Sequence, residues 1–158
     1  MMTQNFGNKS IICEEIMTLK QVKRKRKNKD IPDRIASSFS LAQWMSKLIG
    51  SECQEHLIVV CLDTKNQINS YATVSIGSLN QSIAHPRDIL QRALLSNSAR
   101  IALIHNHPSG HPAPSKNDDS FTERIANACS IVGIDLLDHI IVTDTNKYYS
   151  YREETRIL

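Results

Sequence analysis

Residues 99–118 combine a short apolar run, a turn-rich loop and a helix start, and this combination constrains the fold more than any other segment. The run Ala99–Ile104 is rich in branched side chains, which predicts a buried strand that ends near His105. Three prolines and a glycine between residues 108 and 114 then exclude a continued strand or helix and force a loop. The loop leads into Ser115 and Asp118, whose Ser-x-x-Asp spacing is an N-cap signature that predicts a helix.

The end of this strand carries two imidazoles at a spacing that suits one metal ion. Side chains two residues apart on extended chain share a face, so His105 and His107 can point at one ion while Asn106 points away. With Asp118 they make three ligands and leave a fourth position open, the pattern of a catalytic zinc site. The alternative is that Asp118 only completes a capping box with Ser115.

The same residues carry a family resemblance. The spacing His-x-His-x7-Ser-x2-Asp resembles the signature of the JAMM (MPN-plus) metalloproteases, and the longer text His-Asn-His-Pro-Ser-Gly resembles the RadC branch of that superfamily. Other segments resemble RadC proteins in the same order, and they lie at Gly77–Asn80, His85–Ile89, Arg92–Ala93, Asn97 and Leu137–Val142. The resemblance extends over roughly residues 33–152.

This resemblance implies an α/β fold of the cytidine-deaminase-like (JAMM/MPN) type, a three-layer α-β-α sandwich with a mixed sheet. It implies one zinc ion per chain, held by the residues that match the motif: His105, His107 and Asp118. Ser115 matches the serine that helps to hold the tetrahedral intermediate, and Glu55 is the best match to the glutamate that acts as general acid and base.

Other residues leave alternatives open. A glutamate at a strand start is usually a solvated end residue, and Glu52 lies close to Glu55 in the sequence. His111, in the metal-site loop, is expected to face solvent. Asp138 and His139 are candidates for orienting a metal ligand through a hydrogen bond.

Periodicity and breaker residues predict a coarse order of elements that suits such a sandwich. The predicted elements are a helix at Leu41–Ile49, strands at His56–Leu62 and Ile68–Ile76, a helix at Pro86–Ser96, the strand to His105, a helix at Lys116–Val132, and a hairpin of Ile140–Val142 with Tyr148–Tyr151.

Length and composition indicate one domain with a full core, since the chain has 158 residues and an apolar fraction of 41%. No apolar run reaches the ~20 residues that cross a bilayer, and the N-terminus lacks the apolar segment of a signal peptide. We therefore expect a cytoplasmic protein without a membrane partner. Its four cysteines show no Cys-x-x-Cys spacing and are expected to be reduced.

The N-terminal region differs in composition from the rest of the chain. Lys20–Lys29 holds seven positive charges in ten residues, and without them the formal net charge of +3 would become −4. We therefore divide the chain into a basic extension, residues 1–32, and a metal-binding domain, residues 33–158. The run could bind DNA phosphates, but it has no interleaved aromatic residues, which favours a solvated linker. RadC proteins of greater length carry a helix-hairpin-helix-like region before the metal domain, and residues 1–32 are too short for one.

Three function classes follow. The first is a zinc hydrolase of the JAMM type that cleaves an amide in a peptide or protein substrate. The second is a DNA-associated repair or mobile-element module, and the third is a catalytically silent scaffold on the same metal-binding fold. Two similar chemistries are excluded: the chain lacks the Pro-Cys-x-x-Cys of zinc deaminases, and in HNH nucleases the three named residues are spread over a much longer unit.

Overall fold

The computed structural model describes residues 31–77, 84–155 and 157–158. The basic run Lys20–Lys29 and Cys13 lie outside the described residues, so the boundary between an extension and a domain stays a prediction. Among the described cysteines, Cys53 is exposed and Cys61 and Cys129 are buried, and all three are free thiols.

The described residues form helices and strands in mixed order. They are α1 (Ser38–Ile49), β1 (His56–Leu62), β2 (Ile68–Ile76), α2 (Pro86–Leu95), β3 (Arg100–Asn106), α3 (Lys116–Val132), β4 (Asp135–Val142), β5 (Tyr148–Ser150) and α4 (Tyr151–Glu154). Within the described ranges, no helix has the length and apolar character needed to span a bilayer.

The five strands form one mixed sheet in the order β2-β1-β3-β4-β5. Strands β3 and β4 run parallel, and the other neighbouring pairs are antiparallel. Strands β1, β3 and β4 occupy the centre of this order and are largely buried, as the apolar runs in β1, in β3 and at the end of β4 predict. In the β1–β3 pair, Leu57 lies opposite His105, which brings the start of β1 to the end of β3.

Helices cover both faces of the sheet. Helix α1 packs on one face, where Ala102 and Ile104 of β3 belong to its core cluster. Residues of α2 and α3 pack on the other face, in a second cluster with Ile101 and Leu103 of the same strand. The alternation of β3 thus divides the core into two halves, and the predicted α/β sandwich with a mixed sheet is confirmed.

Five elements differ from the sequence prediction at their ends, and two of them, α2 and β3, differ by only one residue at an end. Helix α1 begins at Ser38, because Ser37 and Ser40 form a reciprocal capping box before the first apolar residue of the pattern. Strand β4 begins at Asp135, five residues before the predicted start, because it pairs in parallel with the whole of β3, from Arg100 opposite Asp135 to Asn106 opposite Val142. Tyr151 opens the short helix α4 instead of extending β5, because Ser150 caps that helix by accepting a hydrogen bond from the Glu153 backbone N–H.

Helix α1 ends in close contact with the loop after β4. A Cβ added to Gly50 would lie 2.5 Å from the carbonyl oxygen of Ser46 and 2.6 Å from that of Thr143. Both neighbours are backbone atoms, which cannot rotate away as a side chain could. Gly50 is therefore required by packing at this position.

We predict that Gly50→Ala lowers the free energy of unfolding by roughly 1–3 kcal/mol, the usual cost of overpacking. Urea unfolding followed by circular dichroism measures the change. The matched control is Lys47→Ala, an exposed position on the same helix, for which we expect a change within about 0.5 kcal/mol. Equal stability of the two variants would show that α1 can move away from Thr143 without loss.

Candidate metal centre

Three side chains from different parts of the chain converge at the end of β3. His105 is the penultimate residue of β3, His107 directly follows the strand, and Asp118 lies in the first turn of α3. The Nε2 atoms of the two histidines are 2.9 Å apart, and Asp118 Oδ1 lies 3.4 Å from Nε2 of His105. One ligand atom from each residue falls within 4.8 Å of the others, so the predicted trio could hold a metal ion.

The strand and the loop after it explain this convergence. His105 follows Ile101 and Leu103 on the α3 side of the sheet, and it is fully buried. The backbone N–H of His107 donates to the carbonyl of Val142 in β4, which holds the chain against the sheet beyond the end of β3. A turn then reverses the chain, with the Gly110 N–H donating to the His107 carbonyl at a glycine φ of 76°.

Asp118 acts in the helix cap and in the site at once. Its Oδ2 accepts hydrogen bonds from the backbone N–H and the hydroxyl of Ser115, each at 2.7 Å, and the Ser115 hydroxyl oxygen accepts from the Asp118 N–H. Its Oδ1 faces His105. The cap oxygen Oδ2 also lies 3.6 Å from Nε2 of His107. The capping box and the metal-site interpretation are still compatible, because Oδ1 takes no part in the cap and can bind an ion while Oδ2 accepts from Ser115.

The charge states in this cluster suit a cation. Burial would raise the pKa of Asp118, but the neighbouring imidazoles of His107 and His105 and the hydrogen bonds from Ser115 hold the pKa of this carboxyl well below its usual value. Burial lowers the pKa of His105 well below its ordinary value, so this imidazole is neutral at physiological pH. An ionised carboxylate beside a neutral imidazole is the state in which these ligands bind a metal.

His107 is held so that its Nε2 faces the cluster. Its Nδ1 lies 2.8 Å from the carbonyl oxygen of His111, which can only accept a hydrogen bond, so Nδ1 carries a proton. In the neutral ring the lone pair is then on Nε2. Burial opposes protonation of His107, yet its pKa is raised by hydrogen bonds with Asp118 and the His111 carbonyl and by the charges of Asp118 and Glu55. The side chain of His111 belongs to an exposed residue, as predicted.

Glu55 lies at the edge of this cluster. It is half-buried, directly before β1, and its backbone carbonyl accepts a hydrogen bond from Gly77 N–H. The register that pairs Leu57 with His105, carried two positions further, sets Glu55 opposite His107 on the same side of the sheet. Its charge contributes to the raised pKa of His107, so the two side chains interact.

Asn106 fixes the segment that carries Glu55, a role that the sequence did not indicate. This side chain is fully buried and points away from the metal ligands, toward the loop before β1. Its Oδ1 accepts from the His56 backbone N–H at 2.7 Å, and its Nδ2 donates to the carbonyls of Glu52 and Gln54 at 3.2 and 3.0 Å. These three hydrogen bonds therefore hold the backbone immediately before and after Glu55.

The two candidates for orienting a ligand separate in the structure. Nε2 of His139 lies 2.9 Å from Nδ1 of His105, so His139 contacts the predicted site directly. Asp138 faces the other side of β4, where it accepts hydrogen bonds from the Ser150 hydroxyl and the Arg152 backbone N–H. Burial raises the pKa of Asp138. Its contacts hold the start of α4, and they do not involve the metal cluster.

Comparison with known proteins identifies the family of this chain. The family model of the RadC-like JAB domain matches residues 35–156. A protein of Streptococcus gordonii named UPF0758 protein is 48% identical over 126 residues, which cover 80% of this chain and 55% of that protein. A protein of Streptococcus agalactiae with the same name is 46% identical over 129 residues, or 82% of this chain and 57% of that protein. The chain thus spans little more than half the length of these relatives, and it belongs to the RadC family.

Proposed function

We propose that the chain is a zinc-dependent hydrolase of the JAMM type that cleaves an amide bond, peptide or isopeptide, with water. The observation that carries this proposal is the convergence of two imidazole Nε2 atoms and an ionised carboxylate, with a second carboxylate, Glu55, interacting at their edge. Membership of the RadC family, with its JAB domain, supports the same chemistry.

Zinc suits the donor set. Two imidazole nitrogens and one carboxylate oxygen are borderline ligands of the kind that zinc takes, and three protein ligands leave one position for water or substrate. A zinc ion bound there would polarise a substrate carbonyl and lower the pKa of a water molecule to about 7. In this proposal His105, His107 and Asp118 hold the ion.

Glu55 moves the proton in the proposed reaction. Its carboxylate accepts a proton from the water as the water oxygen bonds to the amide carbon, and it returns that proton to the amide nitrogen as the carbon–nitrogen bond breaks. The products are a carboxylic acid and an amine, and Glu55 ends in its starting state. The hydrogen bonds of Asn106 support this role, because they hold the backbone on both sides of Glu55 against the end of β3.

Ser115 has one hydroxyl proton and two uses for it. In the structure the hydroxyl donates to Asp118 Oδ2 and so steadies a proposed metal ligand. Because Ser115 is an exposed residue at the mouth of the cluster, its hydroxyl could instead donate to the substrate oxygen as negative charge develops there. We propose that both uses operate, the first before substrate binds and the second during the reaction.

The other two function classes have less support. DNA binding through Lys20–Lys29 depends on residues outside the described ranges, and it stays a prediction, as do the cytoplasmic location and the identity of a protein substrate. A silent scaffold would need the metal cluster but not Glu55 beside it. The bracketing of Glu55 by Asn106 therefore favours the hydrolase over the scaffold.

We predict about one zinc ion per chain in the purified protein, and loss of that zinc in His107→Ala and Asp118→Ala, because each change leaves only two ligands. Plasma mass spectrometry of the folded proteins measures the metal. His111→Ala is the matched control: it removes an exposed imidazole from the same loop but keeps the carbonyl that contacts His107. Zinc retained in both ligand variants would refute the proposed centre.

We predict that Glu55→Gln keeps zinc but lowers turnover roughly 100- to 10,000-fold, the usual contribution of a general acid and base. The assay is hydrolysis of a panel of blocked peptides and lysine isopeptides, followed by mass spectrometry. Glu52→Gln is the control, because Glu52 is exposed and only its backbone carbonyl contacts Asn106. Unchanged turnover in Glu55→Gln would remove Glu55 from the mechanism, and a wild-type protein that binds zinc but cleaves no member of the panel would favour the scaffold.

A further inference from the structure

A chain of buried hydrogen bonds runs behind the metal centre and connects two of its proposed ligands. It starts at the backbone carbonyl of Asp118, to which the Thr122 hydroxyl donates at 2.6 Å. The Thr122 Oγ1 lies 2.6 Å from Nδ1 of His139, and Nε2 of His139 lies 2.9 Å from Nδ1 of His105. The side chains of Thr122, His139 and His105 are fully excluded from solvent.

The Asp118 carbonyl, at the start of this series of hydrogen bonds, determines the direction of each of the others. A carbonyl oxygen can only accept, and the Tyr151 hydroxyl, whose proton goes to Asp119, also offers Thr122 only an acceptor, so the single hydroxyl proton of Thr122 is directed to these oxygens and not to His139. Oγ1 of Thr122 must then accept at its second contact, which requires a proton on Nδ1 of His139. A neutral His139 has its lone pair on Nε2, so it accepts from a proton on Nδ1 of His105.

The last step exposes the lone pair of His105 to the proposed metal centre. A neutral His105 protonated on Nδ1 has its lone pair on Nε2, the atom that lies 2.9 Å from His107 and 3.4 Å from Asp118. The opposite tautomer would present an N–H to the cluster, and His105 could not bind a metal through Nε2. Thr122 and His139 therefore determine which form of His105 faces the site.

Tyr151 restricts the orientation of the His139 ring. The two rings are stacked with centroids 5.2 Å apart and planes 7° from parallel. The Tyr151 hydroxyl donates to Asp119 Oδ1 at 2.7 Å, which ties the tyrosine to the first turn of α3. The stacking fixes the plane of the His139 ring, and the contacts of its two nitrogens with Thr122 and His105 select the orientation within that plane.

We propose that His139 and Thr122 are positioning residues that lock His105 in the tautomer protonated on Nδ1. This inference rests on the proposed metal centre only for its effect on zinc affinity. The first turns of α3 then serve the centre twice: the side chain of Asp118 is a ligand, and its carbonyl orients another ligand through Thr122 and His139. Hydrogen bonds of this kind behind a metal ligand typically contribute 10- to 100-fold to metal affinity.

The test is long-range nitrogen NMR of the histidine rings in the 158-residue chain, at neutral pH, with and without zinc. We expect His105 in the wild type to carry its proton on Nδ1 even before zinc is added. Thr122→Val removes the anchor without changing volume, and we expect a mixture of His105 tautomers and a zinc dissociation constant raised roughly tenfold. His139→Leu should have the same effect or a larger one, whereas His139→Gln should restore the tautomer, because an amide can accept from His105 and donate to Thr122.

Thr143→Val is the matched control. Thr143 is also fully buried, and its hydroxyl donates to a backbone carbonyl, that of Lys147, but it is not part of the chain behind His105. We expect no change of tautomer and zinc affinity within twofold of the wild type. Thr122→Val tests the proposal even if His139→Leu fails to fold.

A proton on Nε2 of His105 in the zinc-free wild type would overturn the proposal, and so would a Thr122→Val variant with an unchanged tautomer and an unchanged zinc dissociation constant. The tautomer is measured without zinc and without substrate. A protein that binds no zinc or hydrolyses nothing would therefore contradict the proposed function, while the state of His105 would still decide this inference.

Discussion

The two-residue alternation at the end of β3 is the constraint on which the candidate site depends. His105 points to the α3 side of the sheet, where Asp118 and His139 lie, and Asn106 points to the α1 side, where it binds the loop before β1. Two adjacent residues thus serve two parts of one centre: His105 is one of the proposed ligands, and Asn106 holds the loop that carries Glu55, the proposed proton carrier. A shift of register by one residue would exchange the two side chains and dismantle both parts.

The helix start at Ser115 adds a second link between folding and chemistry. A serine N-cap contributes typically about 1 kcal/mol to stability, and here the cap is completed by the carboxylate of Asp118. The hydrogen bonds from Ser115 to Oδ2 also offset the cost of burying that charge. The residue that ends the loop and the residue that would bind the metal are therefore held by the same local structure. Loss of Asp118 should affect the start of α3 as well as the metal.

Much of the fold was predictable because its signals are local. The bounds of β1, β2 and α3 agree with the sequence prediction, since apolar periodicity and the cap of α3 lie within the elements themselves. The convergence of His105, His107 and Asp118 was also predictable, because a strand, a short loop and a helix start leave few arrangements. The family resemblance indicated Glu55, which periodicity alone would have left as a solvated strand end.

The contacts that support the site could not be predicted in the same way. Asn106 meets residues about 50 positions away in the sequence, and its position between two histidines indicated only that it would point elsewhere. Thr122 looks like an ordinary helix residue until β4 brings His139 against it, and Tyr151 fitted the apolar pattern of a last strand. Such contacts depend on the packing of whole elements, for which no short sequence pattern exists.

The most direct test of the metal centre is X-ray absorption at the zinc edge on the zinc-loaded 158-residue chain, because it identifies the ligand atoms themselves. The predicted spectrum has only nitrogen and oxygen neighbours at about 2.0–2.2 Å, with the outer scattering of two imidazole rings. A sulfur neighbour at about 2.3 Å would contradict it, because it would mean that zinc binds a thiol, such as the exposed Cys53, and not the His105, His107 and Asp118 cluster.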